Sequence, residues 1–476
     1  MRRGATLLAS IALSFVTVLS WAQSGGKTPR TPPIEPPMRQ TPLPTPLTIE
    51  SSVPVPADVP NRPLTAAEAV QIALHNQPSL AIARAAVAAA HGAVLQARSG
   101  LLPSLALSAS YTNTQTIAHP AAQSTGGTSS GSGSSGAANA LLSFSGFNTG
   151  ASVKQLLFDF NHTRDTVRQE EALERSANAA YSTADADLAL QVKQLFYAYD
   201  EAKHLVTLNE TNVSDQQSHL DLAQARLRSG LGEPSDVLLA RTALDAAIQA
   251  LTTARNANLI ARLTLAAAMG VDPRLPLVPA DAHESAPVSV NIDQSVAEAL
   301  THRPEMAQFT ADVQAAAAGL DSARTSAAPS LSASLGLSGR GSAFTPQDQF
   351  FSAGLSLQWT PFDSGLTTGR IKSAQAGVQS SQAALIGERQ QIVSDVASAA
   401  VNLQAAMQHA QTAASEVANA QESVRIAEGR YRSGVGIFLD LLDAQSAYVT
   451  AQTDQINADA AVDEARAALA HAVGAP

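Results

Sequence analysis

Few side chains here are placed to do covalent chemistry. Ten histidines are scattered along 476 residues, cysteine is absent, and no Gly-x-x-x-x-Gly-Lys-Ser/Thr phosphate loop occurs. Thiolate catalysis, disulfides and cysteine metal sites are therefore excluded, and neither a metal nor a cofactor is expected. The charged residues that do fall in a pattern belong to a motif that occurs twice. Arg226-Leu227-Arg228-Ser229-Gly230-Leu231-Gly232 is followed by Asp236, and Arg430-Tyr431-Arg432-Ser433-Gly434-Val435-Gly436 is followed by Asp440 and Asp443. Arginines flanking a glycine turn are either contacts for a partner or solvated helix ends. An aspartate just past such a turn is, in the plainest reading, an N-cap or first-turn residue. No nucleophile, base or ligand constellation accompanies them, and no enzyme is expected.

The doubled motif is part of a larger duplication. An offset of 204 pairs Phe158-Asp159 with Phe362-Asp363, Asp236 with Asp440, Leu238 with Leu442 and Gly270 with Gly474. Upstream the offset becomes 226 and pairs Ala97-Arg98…Pro103-Ser104-Leu105 with Ala323-Arg324…Pro329-Ser330-Leu331. The difference, 226 − 204 = 22 residues, lies between Leu105 and Phe158, where the first copy carries a Gly/Ser-rich run over 124–136. That run reads as a flexible loop tip on the extracellular side.

Net charge is −10, which argues against nucleic acid as a partner, since phosphate binding needs clustered Lys and Arg. Residues 1–22 read as a secretory signal peptide: Met1-Arg2-Arg3 is basic, Ala5 to Val18 is mostly apolar, and Ser20-Trp21-Ala22 places cleavage after Ala22. Residues 23–63 read as a linker, because twelve prolines fix φ and remove backbone donors. With no cysteine, lipid attachment there is excluded. No window of about 20 uncharged apolar residues follows the leader, so a membrane crossing must use strands.

Two structural repeats remain, 64–275 and 291–474, joined by a linker at 276–290. Each opens with a helix, near 65–98 with a break at Pro78 and near 293–324; Thr65 and Glu68 form a capping box for the first. Alternating segments follow, at about 104–112 and 147–157 in the first repeat and 330–338 and 350–360 in the second. Leu105, Leu107, Ala109 and Tyr111 fall on one face against Ala106, Ser108, Ser110 and Thr112; Phe351, Ala353, Leu355, Leu357 and Trp359 oppose Ser352, Gly354, Ser356 and Gln358. Such a pattern fits lipid outside and a wet lumen inside, and equally a water-soluble sandwich.

Long helices tip the balance. Residues 159–229 contain neither proline nor glycine, and 366–433 contain no proline, so each can run roughly 100 Å at about 1.5 Å per residue. Leu188, Val192, Leu195, Tyr199, Ala202 and Val206 form a heptad seam, repeated by Ile392, Val396, Ala399, Leu403, Ala406 and Ala410. After each glycine turn a return helix covers 236–269 or 440–473. The opening and return helices laid end to end match one long helix. Four strands cannot close a barrel, which takes about eight, so several chains must share one.

This duplicated plan, with its doubled tip motif, resembles the TolC-type outer-membrane factors over about 64–474. The resemblance implies a mainly α fold with a transmembrane β part: a homotrimer whose 12-stranded β-barrel in outer-membrane lipid continues as a periplasmic α-helical barrel. It implies the exit duct of a tripartite efflux pump or type I secretion system, docked to a periplasmic adaptor (membrane fusion protein) and fed by an inner-membrane transporter. It places Asp440 and Asp443 at the periplasmic entrance, and Tyr431 and Asp236 in a hydrogen bond that holds the tip closed. It assigns adaptor docking to Gly230, Gly434, Arg226, Arg228, Arg430 and Arg432. Where TolC has an arginine that supplies a second closing link, this chain has Gly436. The competing reading is a soluble periplasmic coiled-coil adaptor or structural protein.

Overall fold

The computed structural model describes residues 62–115, 143–280, 291–341 and 348–475. The expected leader, most of the proline-rich segment, the Gly/Ser run and most of the inter-repeat linker lie outside them. Twelve elements follow in order: α1 (Ala66–Asn76), α2 (Pro78–Ser99), β1 (Ser104–Gln115), β2 (Ser143–Phe158), α3 (His162–Arg228), α4 (Pro234–Ala268), α5 (Ile292–His302), α6 (Pro304–Thr325), β3 (Ser330–Gly341), β4 (Asp348–Gln358), α7 (Leu366–Ser433) and α8 (Phe438–Val473). The second six recur in the order of the first six. Helix lengths of 11, 22, 67 and 35 residues are answered by 11, 22, 68 and 36.

Each opening helix is two helices. Gln77 has φ −72°, ψ 123° and Arg303 has φ −65°, ψ 128°; both precede a proline whose ring disfavours the helical conformation in the preceding residue. Thr65 and Glu68 form the expected capping box. The strand-to-helix corners are set by aspartate. Asp159 accepts the Thr163 amide at 2.8 Å and Asp363 the Thr367 amide at 2.7 Å, satisfying first-turn donors that have no helical partner.

The strands form one antiparallel sheet in the order β1-β2-β3-β4, and each runs a few residues beyond the sequence boundaries on the side away from the helices. In register, Leu105 faces Val153, Val153 faces Leu335, and Leu335 faces Ala353; Tyr111 faces Phe147, and Leu331 faces Leu357. Apolar side chains thereby dominate one face, interrupted by Thr149 and Gln155, and they are uncovered: Leu107 is 77 % exposed, Phe351 73 % and Leu355 72 %. The opposite face is mainly small and polar, with Lys154 and Gln358 at its helix end and Ser332 and Ser356 hydrogen-bonded at 2.8 Å. At Gly336 the approach is close: a Cβ there would lie 2.8 Å from Ser352 Oγ, so that hydroxyl would have to turn aside.

The return helices do meet the opening ones. At the end of α4, Gln77 Nε2 donates to Ala268 O at 2.9 Å, and a Cβ on Gly270 would lie 3.0 Å from Asn76 O. At the end of α8, a Cβ on Gly474 would lie 3.1 Å from the Arg303 amide nitrogen. Both glycines hold positive φ, 68° and 81°, which Gly adopts without steric cost.

The largest core lies halfway along α3, where Leu188, Val192, Phe196 and Tyr199 meet Leu80, Leu265 and Met269. The chain after α4 is drawn into it: Leu277 is buried, Tyr199 Oη donates to Leu277 O at 2.6 Å, and Leu64 bridges Pro279. Residues 276–280, expected in a linker, are thus held in place. The heptad seam needs correction too. Phe196 is fully buried while Leu195, Ala202 and Val206 are only half-buried, because α3 packs on α1, α2 and α4 and also on α6 and α8, and two flanks require a wider apolar stripe than one seam. By length and composition α2 could cross a membrane. Its Arg84, His91 and Arg98 instead reach Tyr181, Glu174 and Glu171 of α3.

Gly270→Ala and Gly474→Ala are each expected to destabilise by about 1–2 kcal/mol or more, from the left-handed backbone alone. The check is the midpoint of heat-induced loss of helical circular dichroism in detergent; an unshifted midpoint removes the end-to-end junctions from the stability of the fold.

Candidate functional site

The doubled motif builds two matching turns. Leu231 and Gly232 amides donate to Arg226 O at 2.9 and 3.0 Å, and Val435 and Gly436 amides donate to Arg430 O, both at 3.0 Å. Gly230 and Gly434 take φ 73° and 80°, the left-handed C-terminal helix cap. The second glycine of each motif is needed for closeness. A Cβ on Gly232 would lie 2.9 Å from the Leu227 nitrogen, and one on Gly436 3.0 Å from Arg430 Cβ. An arginine at 436 therefore conflicts with this turn as built.

One contact network ties the α3/α4 turn to the α7/α8 turn. Tyr431 Oη donates to Asp236 Oδ2 at 3.0 Å, so the two residues paired by resemblance are brought together. Tyr431 is buried beside Phe438, Leu441, Leu220 and Ala240, with its ring 5.1 Å from that of Phe438. The Arg226 guanidinium carbon sits 4.7 Å above the Tyr431 ring, and its nitrogens donate to Tyr431 O at 2.6 Å, Arg432 O at 3.1 Å and Leu231 O at 3.2 Å. A cation on the orphan carbonyls at the end of α7 offsets the negative pole of that helix. Arg226, expected among docking residues, is thereby engaged within the chain. Arg228 and Arg430 are exposed, and Arg432 pairs with Glu428 one turn back.

Burial, and then the bond and charge of Asp236, push Tyr431 up to about 12. A tyrosine raised in the fold contributes its stability in full below the ordinary value and loses it only as pH climbs through the folded value. The Tyr431 hydroxyl therefore keeps its proton throughout the physiological range.

Asp440 is the third residue of α8, whose N-cap is Ile437 without a side-chain cap. It is thus a first-turn carboxylate favoured by the helix dipole, not the cap itself. Asp443 lies one turn further on, and both are exposed. No hydrogen bond joins either to the Tyr431 network.

Residues 69–271 and 296–475 match the outer membrane efflux protein family. The chain belongs to that family. Protein CyaE of Bordetella pertussis is 28 % identical over 81 % of this chain and 78 % of its own length. VceC from Vibrio cholerae superimposes with a TM-score of 0.71 at 19 % identity, covering 86 % of this chain and 96 % of its own. The CmeC outer membrane channel of Campylobacter jejuni gives 0.73 at 16 % identity, covering 86 % and 85 %. These structures establish the fold as that of outer-membrane channels, and the family establishes the activity: an outer-membrane exit duct for efflux or secretion, passive and not enzymatic. Members of the family generally work as trimers with pump or secretion partners.

Two features of this outer membrane efflux protein escaped the sequence. Arg303, 8 % exposed between α5 and α6, pairs with Glu305 at 2.8 Å and Asp395 at 3.3 Å; its counterpart in the first copy is Gln77. Along the α3/α8 seam a cavity of about 200 Å³ is lined by Asp200, Glu201, His204, Asp459 and Asp463. Burial raises both Glu201 and the adjoining Glu464, and the charge of Glu464 raises Glu201 further. Glu201 and His204 also form a Glu-x-x-His pair in a chain whose histidines read as scattered. Among the described residues no three His, Asp or Glu side chains are grouped to hold a metal.

Tyr431→Phe is expected to loosen the turn network by about 1–3 kcal/mol, the cost of leaving the Asp236 carboxylate without its donor. Hydrogen exchange at the Leu231, Gly232, Val435 and Gly436 amides should accelerate by one to two orders of magnitude, roughly tenfold per 1.4 kcal/mol. Unchanged protection rules out the hydroxyl as a tie.

Proposed function

We propose that three copies of this chain form a homotrimer whose 12 strands close a β-barrel in outer-membrane lipid, continued by an α-helical barrel in the periplasm. What carries the reading is the sheet: one face is mostly apolar and uncovered, and its edge strands, β1 and β4, have no partner on their outer sides within the described chain. In hydrocarbon an open edge leaves each unpaired N–H or C=O at several kcal/mol, so the edges must meet those of other copies. Exposed apolar side chains at Ile386, Val401 and Ile426 on α7, and at Ile82, Leu95, Leu259 and Ile260 on α2 and α4, favour the same joining along the helices.

In this reading the duct collects its cargo at the turn end. Asp440 and Asp443 contribute two rings of three carboxylates around the entrance, where repulsion raises their affinity for protons and cations. Tyr431, Asp236 and Arg226 hold the closed form. Gly230, Gly434, Arg228, Arg430 and Arg432 face a periplasmic adaptor, through which an inner-membrane transporter supplies both substrate and energy. The protein reaches the outer membrane after removal of a signal peptide at 1–22 and carries no lipid on cysteine.

Detergent extraction of the outer-membrane fraction should yield a heat-labile trimer, whereas recovery entirely in the soluble periplasmic extract would return the soluble adaptor reading. In planar bilayers, Asp440→Ala with Asp443→Ala should weaken block by multivalent cations by at least about tenfold, equivalent to about 1.4 kcal/mol. Unaltered block removes both residues from the entrance.

A further inference from the structure

The sheet contains a rule for its own continuation. The β1/β2 hairpin sets Ser104 opposite Lys154, and the β3/β4 hairpin sets Ser330 opposite Gln358. Advancing Ser104 by 226 and Lys154 by 204 converts the first pair into the second. The two copies therefore share one hairpin register, and the offsets found in the sequence are also the offsets of strand pairing. Between the copies, β2 pairs with β3 through Val153↔Leu335, Ala151↔Leu337 and Lys154↔Ser334. In a closed ring the equivalent junction joins β4 of one chain to β1 of the next.

Resting on the trimeric reading above, we infer that β4 docks on β1 of the neighbouring protomer with Leu357 opposite the partner's Ala109. The pair follows from Val153↔Leu335 by adding 204 to the first residue and subtracting 226 from the second. The same step sets Leu355 opposite the partner's Tyr111, Ser356 opposite the partner's Ser110, and Gln358 opposite the partner's Ser108. It sets Trp359, just past β4, opposite the partner's Leu107.

An independent property supports this register. A slip of one residue would turn every side chain of one strand to the wrong face. Here Leu355, Leu357 and Trp359 meet Tyr111, Ala109 and Leu107, all apolar, while Ser356 and Gln358 meet Ser110 and Ser108, all polar. That agreement excludes a slip by an odd number of residues; the offsets choose among the even ones. The bulge in the β2/β3 pairing falls between Leu156 and Phe158, so its counterpart lies past Gln358, beyond the end of β4. The inferred ladder is therefore regular along β4 from Phe351 to Gln358.

The absence of cysteine makes the test direct. Ser110→Cys with Ser356→Cys, placed in every chain, should form an intermolecular disulfide under mild oxidation and run as a covalent trimer on non-reducing denaturing gels. The two positions cannot bond within a chain, because edge strands of a four-stranded sheet lie roughly 14 Å apart and a disulfide needs Cα atoms within about 7 Å. Ser332→Cys with Ser356→Cys, opposed within the β3/β4 hairpin, should close intramolecularly and report that the sheet has formed. Ser110→Cys with Ser352→Cys, four residues out of register, should stay monomeric on the gel. Covalent trimers from that last pair in place of the first overturn the register while leaving the trimer intact. A native assembly that is not trimeric overturns the reading beneath it and the register together.

Discussion

A polypeptide that enters hydrocarbon must satisfy every backbone N–H and C=O from within protein. Four strands cannot meet that condition, because a sheet of four has two free edges. In this chain the rest of the architecture answers to that shortage. Two hairpins lie side by side, with a mostly apolar face left without cover and a mainly small, polar face opposite it. The helices that leave the hairpins inherit the same incompleteness, with packed neighbours along α3 and exposed isoleucines and valines along α7.

Duplication is an economical route to such an object. Nearly equal element lengths in the two halves let each half present similar surfaces. The halves are nevertheless not chemically equal. Arg303 stands where the first copy has Gln77, Tyr431 where it has Leu227, and the core around Phe196 is far larger than its counterpart around Ile392 and Val396. The two halves are therefore alike in geometry and unlike in chemistry. That inequality matters most at the turn end, where a buried tyrosine and a stacked arginine join the two hairpins within a chain.

At that end the carboxylates differ in their surroundings. Asp236 is committed to a phenol, and its partner is held up to about 12 by burial and by that contact. Asp440 and Asp443 remain exposed on α8. The phenol that ties the two turns keeps its proton at ordinary pH.

Read as residues alone, the chain disclosed its period, its helix and strand order, the break at Pro78 though not the matching one at Pro304, and the alternation of faces along its strands. These are local properties, set by φ restriction, by capping and by side-chain alternation, and they need no knowledge of neighbours. The heptad seam was only half right because Phe196 is buried by helices far apart in sequence, which periodicity along α3 cannot register. Arg226 looked like a surface cation for the same reason: the Tyr431 ring and the Arg432 carbonyl that engage it lie about 200 positions away and meet it only when the two turns pack. Pattern and chemistry of each segment were written in the sequence; which segments face one another was decided by tertiary packing, because burial and hydrogen-bond satisfaction are properties of pairs of elements and not of either one.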